Sequence, residues 1–136
     1  MARILLVGVD PDDVDFDDPS LPPGMNATVI RSGIARTLDD LRAAGHEAHH
    51  LYISPDPARV GDLADRLEQD ALDCVTVGGG VRLLPSNLIL FEAVLNVIAR
   101  ATPSPAIALV SRPDDAPAAV ARVLEGRAGT TPSVAD

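Results

Sequence analysis

Four continuous apolar runs, at residues 3–9, 48–53, 73–78 and 106–111, are each followed by a stretch with helical spacing. The first reads Arg-Ile-Leu-Leu-Val-Gly-Val and the last Ala-Ile-Ala-Leu-Val-Ser. A strand with one wet face alternates apolar and polar residues. Continuous apolarity predicts strands covered on both faces, the setting of a parallel sheet. The first helical stretch runs from about Asn26 to Ala44, with Val29, Ile30, Ile34, Leu38 and Leu41 on one side and Gly45 as its stop. The second runs from about Asp56 to Asp70, with Pro57 suited to its first turn and Val60, Leu63, Ala64 and Leu67 facing inward. The third spans about Pro85 to Ala101 and the fourth about Asp114 to Glu125.

The order βαβαβαβα predicts an α/β fold, a three-layer αβα sandwich with right-handed crossovers over a four-stranded parallel sheet. A flavodoxin-like strand order 2-1-3-4 is the first expectation, with 3-2-1-4 second. A chain of 136 residues suffices for one domain with one core. Residues 1–125 form that domain in this reading, and residues 126–136, Gly-Arg-Ala-Gly-Thr-Thr-Pro-Ser-Val-Ala-Asp, form a flexible tail. No internal repeat is evident. In the preferred order the chain reverses direction between strands 1 and 3. The loops after those strands, 10–25 and 78–86, then border the crevice where such sheets bind ligands.

The two loops have opposed chemistry. Residues 10–18 read Asp-Pro-Asp-Asp-Val-Asp-Phe-Asp-Asp, six aspartates in nine residues. Aspartate favours turns by accepting from nearby backbone N–H groups. Carboxylates crowded this way must cap backbone, pair with arginine or hold a cation, and Mg²⁺ suits such oxygen ligands. The facing loop, Gly78-Gly79-Gly80-Val81-Arg82, lets backbone approach a ligand closely. With Arg82 its N–H groups form a nest for a carboxylate or phosphate; a pairing of Arg82 with an aspartate of the other loop is the structural alternative. Ser54, Asn87 and Arg112 fall near the same crevice. The spacing Gly-x-Gly-x-x-Gly is absent, so there is no NAD or FAD fingerprint.

Val9-Asp10-Pro11-Asp12-Asp13-Val14 resembles the opening motif of haloacid-dehalogenase-like phosphatases. The resemblance implies Asp10 as nucleophile, Asp12 as acid/base and Mg²⁺ between them and a phosphate. Ser54 then matches that family's Ser/Thr position, and Asp114-Asp115 its acidic metal pair. The family's lysine has no counterpart, and Pro11 occupies the variable position between the aspartates. Acidic residues after strand 1 also resemble response-regulator receiver domains, but their phospho-acceptor position is Gly78-Gly79-Gly80 here. A wider likeness rests on Asp10-Pro11, Val14-Asp15-Phe16, Leu21-Pro22-Pro23-Gly24-Met25, the Gly-Gly-Val-Arg turn, Asn87–Glu92 and Ser111-Arg112-Pro113-Asp114-Asp115. Over most of its length the chain looks like a small bacterial α/β family of hypothetical proteins without an assigned activity.

Composition narrows the chemistry. All eleven basic residues are arginine, which excludes a Schiff-base lysine, a phosphate-loop lysine and a lysine general base. Phe16, Tyr52 and Phe91 are the whole aromatic set, too few for base stacking. A net charge of −9 repels nucleic acid and anionic membranes alike. Cys74, the single cysteine, lies within the third apolar run and reads as a core residue in a reducing compartment. The chain shows no signal-peptide pattern and no membrane-length apolar run, which predicts a cytoplasmic protein. His46, His49 and His50 gather at the start of the second strand, with His49 and His50 on opposite faces and so not sharing a metal.

The third helix carries more apolar residues than one buried stripe requires. Leu84, Leu88, Phe91, Leu95 and Ile98 form one stripe, expected on the sheet. Leu90, Val94 and Val97 form a second, expected either on a neighbouring helix or in a symmetric homodimer. Two functions follow. One is a domain binding or acting on an anionic metabolite at the crevice, with Asp10 or Asp12 as base or metal ligand. The other is a non-catalytic dimerising module.

Overall fold

The computed structural model describes residues 1–130, with side chains through residue 126. β1 (Arg3–Val9) lies between β2 (Glu47–Ile53) and β3 (Cys74–Val77), and β4 (Ala106–Leu109) pairs with the far side of β3. All three pairings are parallel, in the order 2-1-3-4. Alternate residues of β1 supply the two cores, because successive side chains point to opposite faces. Leu5, Val7 and Val9 face one way; Ile4 and Leu6 face the other.

The helices divide accordingly. α1 (Ala27–Ala43) and α5 (Ala116–Thr130) cover the Ile4 face, with Leu38, Leu41, Ala119 and Val120 buried there. α2 (Gly61–Gln69), a single-turn α3 (Gly79–Arg82) and α4 (Leu88–Arg100) cover the Leu5 face through Leu63, Leu67, Val81, Leu90, Val94 and Ile98. α1 starts where expected: the Asn26 side chain accepts from the Val29 N–H at 2.9 Å. It stops at Gly45, whose φ of +94° few other residues tolerate.

The long helices mostly begin later than their sequence pattern. A single 3-10 turn with proline in its first position precedes α2 (Pro57–Arg59), α4 (Pro85–Asn87) and α5 (Pro113–Asp115). Proline fits there because the N–H it lacks has no helical acceptor anyway. At the other end, α5 runs past the expected stop at Glu125 to Thr130. Gly126 and Gly129 cost a helix only about 1 kcal/mol each relative to alanine, and no proline intervenes before Pro132. The rest of the expected tail, 131–136, lies outside the described residues.

α4 requires a correction. Leu90 and Val94, expected above on a neighbouring helix or in a homodimer, are 1% and 0% exposed in the core cluster that also holds Leu63 and Leu67 of α2 and Val75 and Val77 of β3, and Val97 packs against it. Leu88, assigned inward, is 65% exposed. Apolar residues surround this helix, so periodicity left its rotation open. The turn before it sets the phase: Asn87 Nδ2 donates to the Gly80 carbonyl at 2.8 Å and ties the start of α4 to α3. No described helix is long and apolar enough to cross a membrane.

Candidate functional site

The acidic loop is built from turns in which aspartate carboxylates accept backbone N–H groups. Asp10 accepts from Asp12 at 3.0 Å, Asp15 from Asp17 at 3.1 Å and Asp18 from Ser20 at 2.8 Å. These bonds hold the polar side of the loop outward. Its apolar residues, Val14, Phe16, Leu21 and Met25, turn inward and roof a cavity of about 60 Å³. The other walls are the carboxyl ends of β1 and β3, Ile30 and Ile34 of α1, and the turn from Val110 to Pro113.

Gly8 opens this space. A Cβ built there would meet no atom within 4 Å, whereas neighbouring positions of β1 carry bulky side chains. Thr76 borders the same cavity on β3. It is 2% exposed and one of two buried polar residues among those described, the other being Thr37. Gly79 and Gly80 also line the cavity, and as the first residues of α3 their N–H groups have no acceptor within the helix. Gly79 is glycine for a steric reason: a Cβ would lie 2.6 Å from the Ser111 carbonyl oxygen.

Of the residues singled out from sequence, Gly78, Gly79, Gly80 and Arg112 meet at this cavity. Arg112 closes it, donating to the Pro23 carbonyl at 3.3 Å and to Met25 Sδ at 3.9 Å, so β4's exit is tied to the roof. It forms no ion pair among the described residues. Arg82 points elsewhere. Its guanidinium donates to Ser111 Oγ at 2.8 Å and to the Val110 carbonyl at 3.4 Å, while Nε is buried without a partner. It ties α3 to the exit of β4 and pairs with no aspartate of the acidic loop among the described residues. Asn87 is tied to Gly80 as above, and Ser54 Oγ accepts from the Asp56 N–H at 3.2 Å, outside the cavity lining.

Asp10 and Asp12 also lie outside the lining. Arg31 of α1 sits against both, 3.0 Å from Asp12 Oδ2 and 3.7 Å from Asp10 Oδ1. Arg31 offsets one of these two negative charges and occupies Asp12 Oδ2, and Asp10 Oδ1 already accepts the Asp12 N–H. No group of three or more potential metal ligands occurs among the described residues. Asp115, the other acidic candidate, accepts from the Arg112 backbone N–H at 3.1 Å. The histidines are dispersed too: His46 Nδ1 accepts from Ala2, while His50 packs on Tyr52 with ring centroids 4.8 Å apart.

Sequence reading missed Gly8, Thr76, Arg31 and the roof. Two signals were present: a glycine inside a strand of large residues, and Val14-x-Phe16 alternating within the acidic run. Tyr52 reports on this region. Burial raises its pKa first; the Arg31 charge acts against that shift and the Asp10 charge adds to it. Arg31→Met is therefore expected to raise the Tyr52 pKa further and Asp10→Asn to lower it. Ultraviolet titration reads this cleanly, because Tyr52 is the only tyrosine and tryptophan is absent. An unmoved titration in both variants would contradict the arrangement. Since the native state holds this proton longer than the unfolded chain, Tyr52 reduces stability only as pH rises above about 10.

No protein-family model matches the chain, and no curated protein matches it.

Proposed function

We propose that the protein binds a small organic anion in the cavity between the ends of β1 and β3 and the roof 14–25. One observation carries this reading. The cavity is mainly apolar, and the polar side chains bordering it among the described residues are Thr76, Tyr52, Ser111 and a single cation, Arg112. Among the described residues its lining contains no aspartate, glutamate, histidine or cysteine. An acid/base catalyst must reach the proton it moves. Asp10 and Asp12 face Arg31 instead, which favours binding over catalysis.

The test is a thermal-shift screen of organic acids and phosphorylated metabolites on the parent protein and on Gly8→Val, whose side chain fills the cavity. A ligand that stabilises the parent and not the variant supports the reading. Equal shifts in both would place binding elsewhere.

A second reading, a dimerising module, is favoured by three exposed apolar side chains: Leu88 at 65%, Ile89 at 58% and Leu109 at 43%. It rests on these and no longer on Leu90, Val94 and Val97. Sedimentation velocity tests it: a dimer split by Ile89→Glu supports it, and a monomeric parent removes it.

A further inference from the structure

We propose that the ligand is a short-chain aliphatic carboxylate of about two to four carbons, an inference that rests on the cavity being a ligand site. Size comes first. The cavity holds about 60 Å³. That is smaller than the ~150 Å³ of a dry apolar cavity that takes benzene, so about six heavy atoms, as in benzene, is an upper limit. Phosphosugars, nucleotides and long acyl chains are too large for it with the roof closed.

Charge and polarity come second. Thr76, 2% exposed as a residue, borders the cavity and brings a hydroxyl to the sheet side of it. Arg112 borders the same space; its guanidinium donates to Pro23 and Met25 and forms no ion pair among the described residues, and the Asp115 carboxylate is engaged by the Arg112 backbone N–H. A guanidinium has five N–H donors, so three remain. A ligand carrying two acceptor oxygens and a negative charge answers both groups. A cation would meet no counter-charge in the lining.

The walls supply the rest. Val14, Phe16, Ile30 and Ile34 come from the roof and from α1, whereas Thr76 comes from the sheet. An aliphatic tail of a few carbons suits the apolar side, and the carboxylate suits the donor side. Inorganic phosphate or sulfate would satisfy the donors and leave the apolar side unfilled.

The experiment is calorimetric titration of the full chain with sodium butyrate, with butyramide and octanoate as comparison ligands. Butyrate is expected to bind, butyramide to bind at least about tenfold more weakly for want of charge-assisted hydrogen bonds, and octanoate not to fit. Thr76→Val, which keeps the shape, is expected to weaken butyrate about tenfold, and Thr76→Ser to restore it. Circular dichroism confirms that each variant is folded; if Thr76→Val is not, the serine variant and the butyramide comparison still decide. No butyrate binding, equal binding of the amide, or tighter binding of octanoate overturns the proposal. If the acid fails while another compound binds in a Gly8→Val-sensitive way, only the ligand class falls. If nothing sensitive to Gly8→Val binds, the cavity reading falls with it.

Discussion

Leu90→Glu is expected to leave no cooperatively folded protein. Leu90 is 1% exposed and sits in one cluster with Val75, Val77, Val94 and Ile98, between α4 and the sheet. A carboxylate there would lie among aliphatic side chains, with no partner in that cluster. Burying an unpaired charge costs several kcal/mol, comparable with the ~5–15 kcal/mol by which whole domains are stable. Leu90→Ala, which only leaves a cavity, is expected to cost about 2–5 kcal/mol in urea denaturation. Ile89→Glu is the control: at 58% exposure it should change stability by no more than about 0.5 kcal/mol. A soluble, folded Leu90→Glu protein with a normal urea midpoint would overturn the rotation assigned to α4.

The second large effect is expected at Gly79. An alanine Cβ would lie 2.6 Å from the Ser111 carbonyl oxygen and 3.0 Å from Leu83 Cδ1. The first of these neighbours is backbone, so it cannot rotate away; the exit of β4 has to move. Such overpacking costs about 1–3 kcal/mol. The displaced turn carries Arg112, which links β4 to the roof, so ligand binding should weaken along with stability. Gly8→Ala is the contrasting case, since its Cβ meets nothing within 4 Å. It should be neutral, or stabilising by up to about 1 kcal/mol through loss of unfolded-chain entropy. Urea midpoints of the two alanine variants read the difference directly. Equal midpoints would mean that the close approach of Gly79 to β4 is not what requires glycine.

The element order was legible because β1 and β3 are apolar on both faces and α1 and α2 each show one register of inward residues. α1 is the clearest case, with Asn26 and Gly45 marking its ends in the sequence and in the structure alike. The meeting of loops 10–25 and 78–86 followed from strand order alone. Their chemistry did not. The aspartates drew attention, yet Asp10, Asp15 and Asp18 bond to their own loop, and Val14 and Phe16 between them face the cavity. A charge run advertises its polar residues, whereas a turn can put every second residue on its other side.

The linear sequence by itself determined the α/β class, the parallel sheet and the crevice, because strand burial and crossover handedness depend on patterns that run along the chain. Only the tertiary structure decided which stripe of α4 is buried, where Arg82 points and what seals the cavity. A helix apolar on several sides has no preferred rotation until a turn such as Leu84–Asn87 sets it. A long arginine side chain reaches many partners in principle. Packing chose the β4 exit for Arg82, the acidic pair for Arg31 and the roof for Arg112.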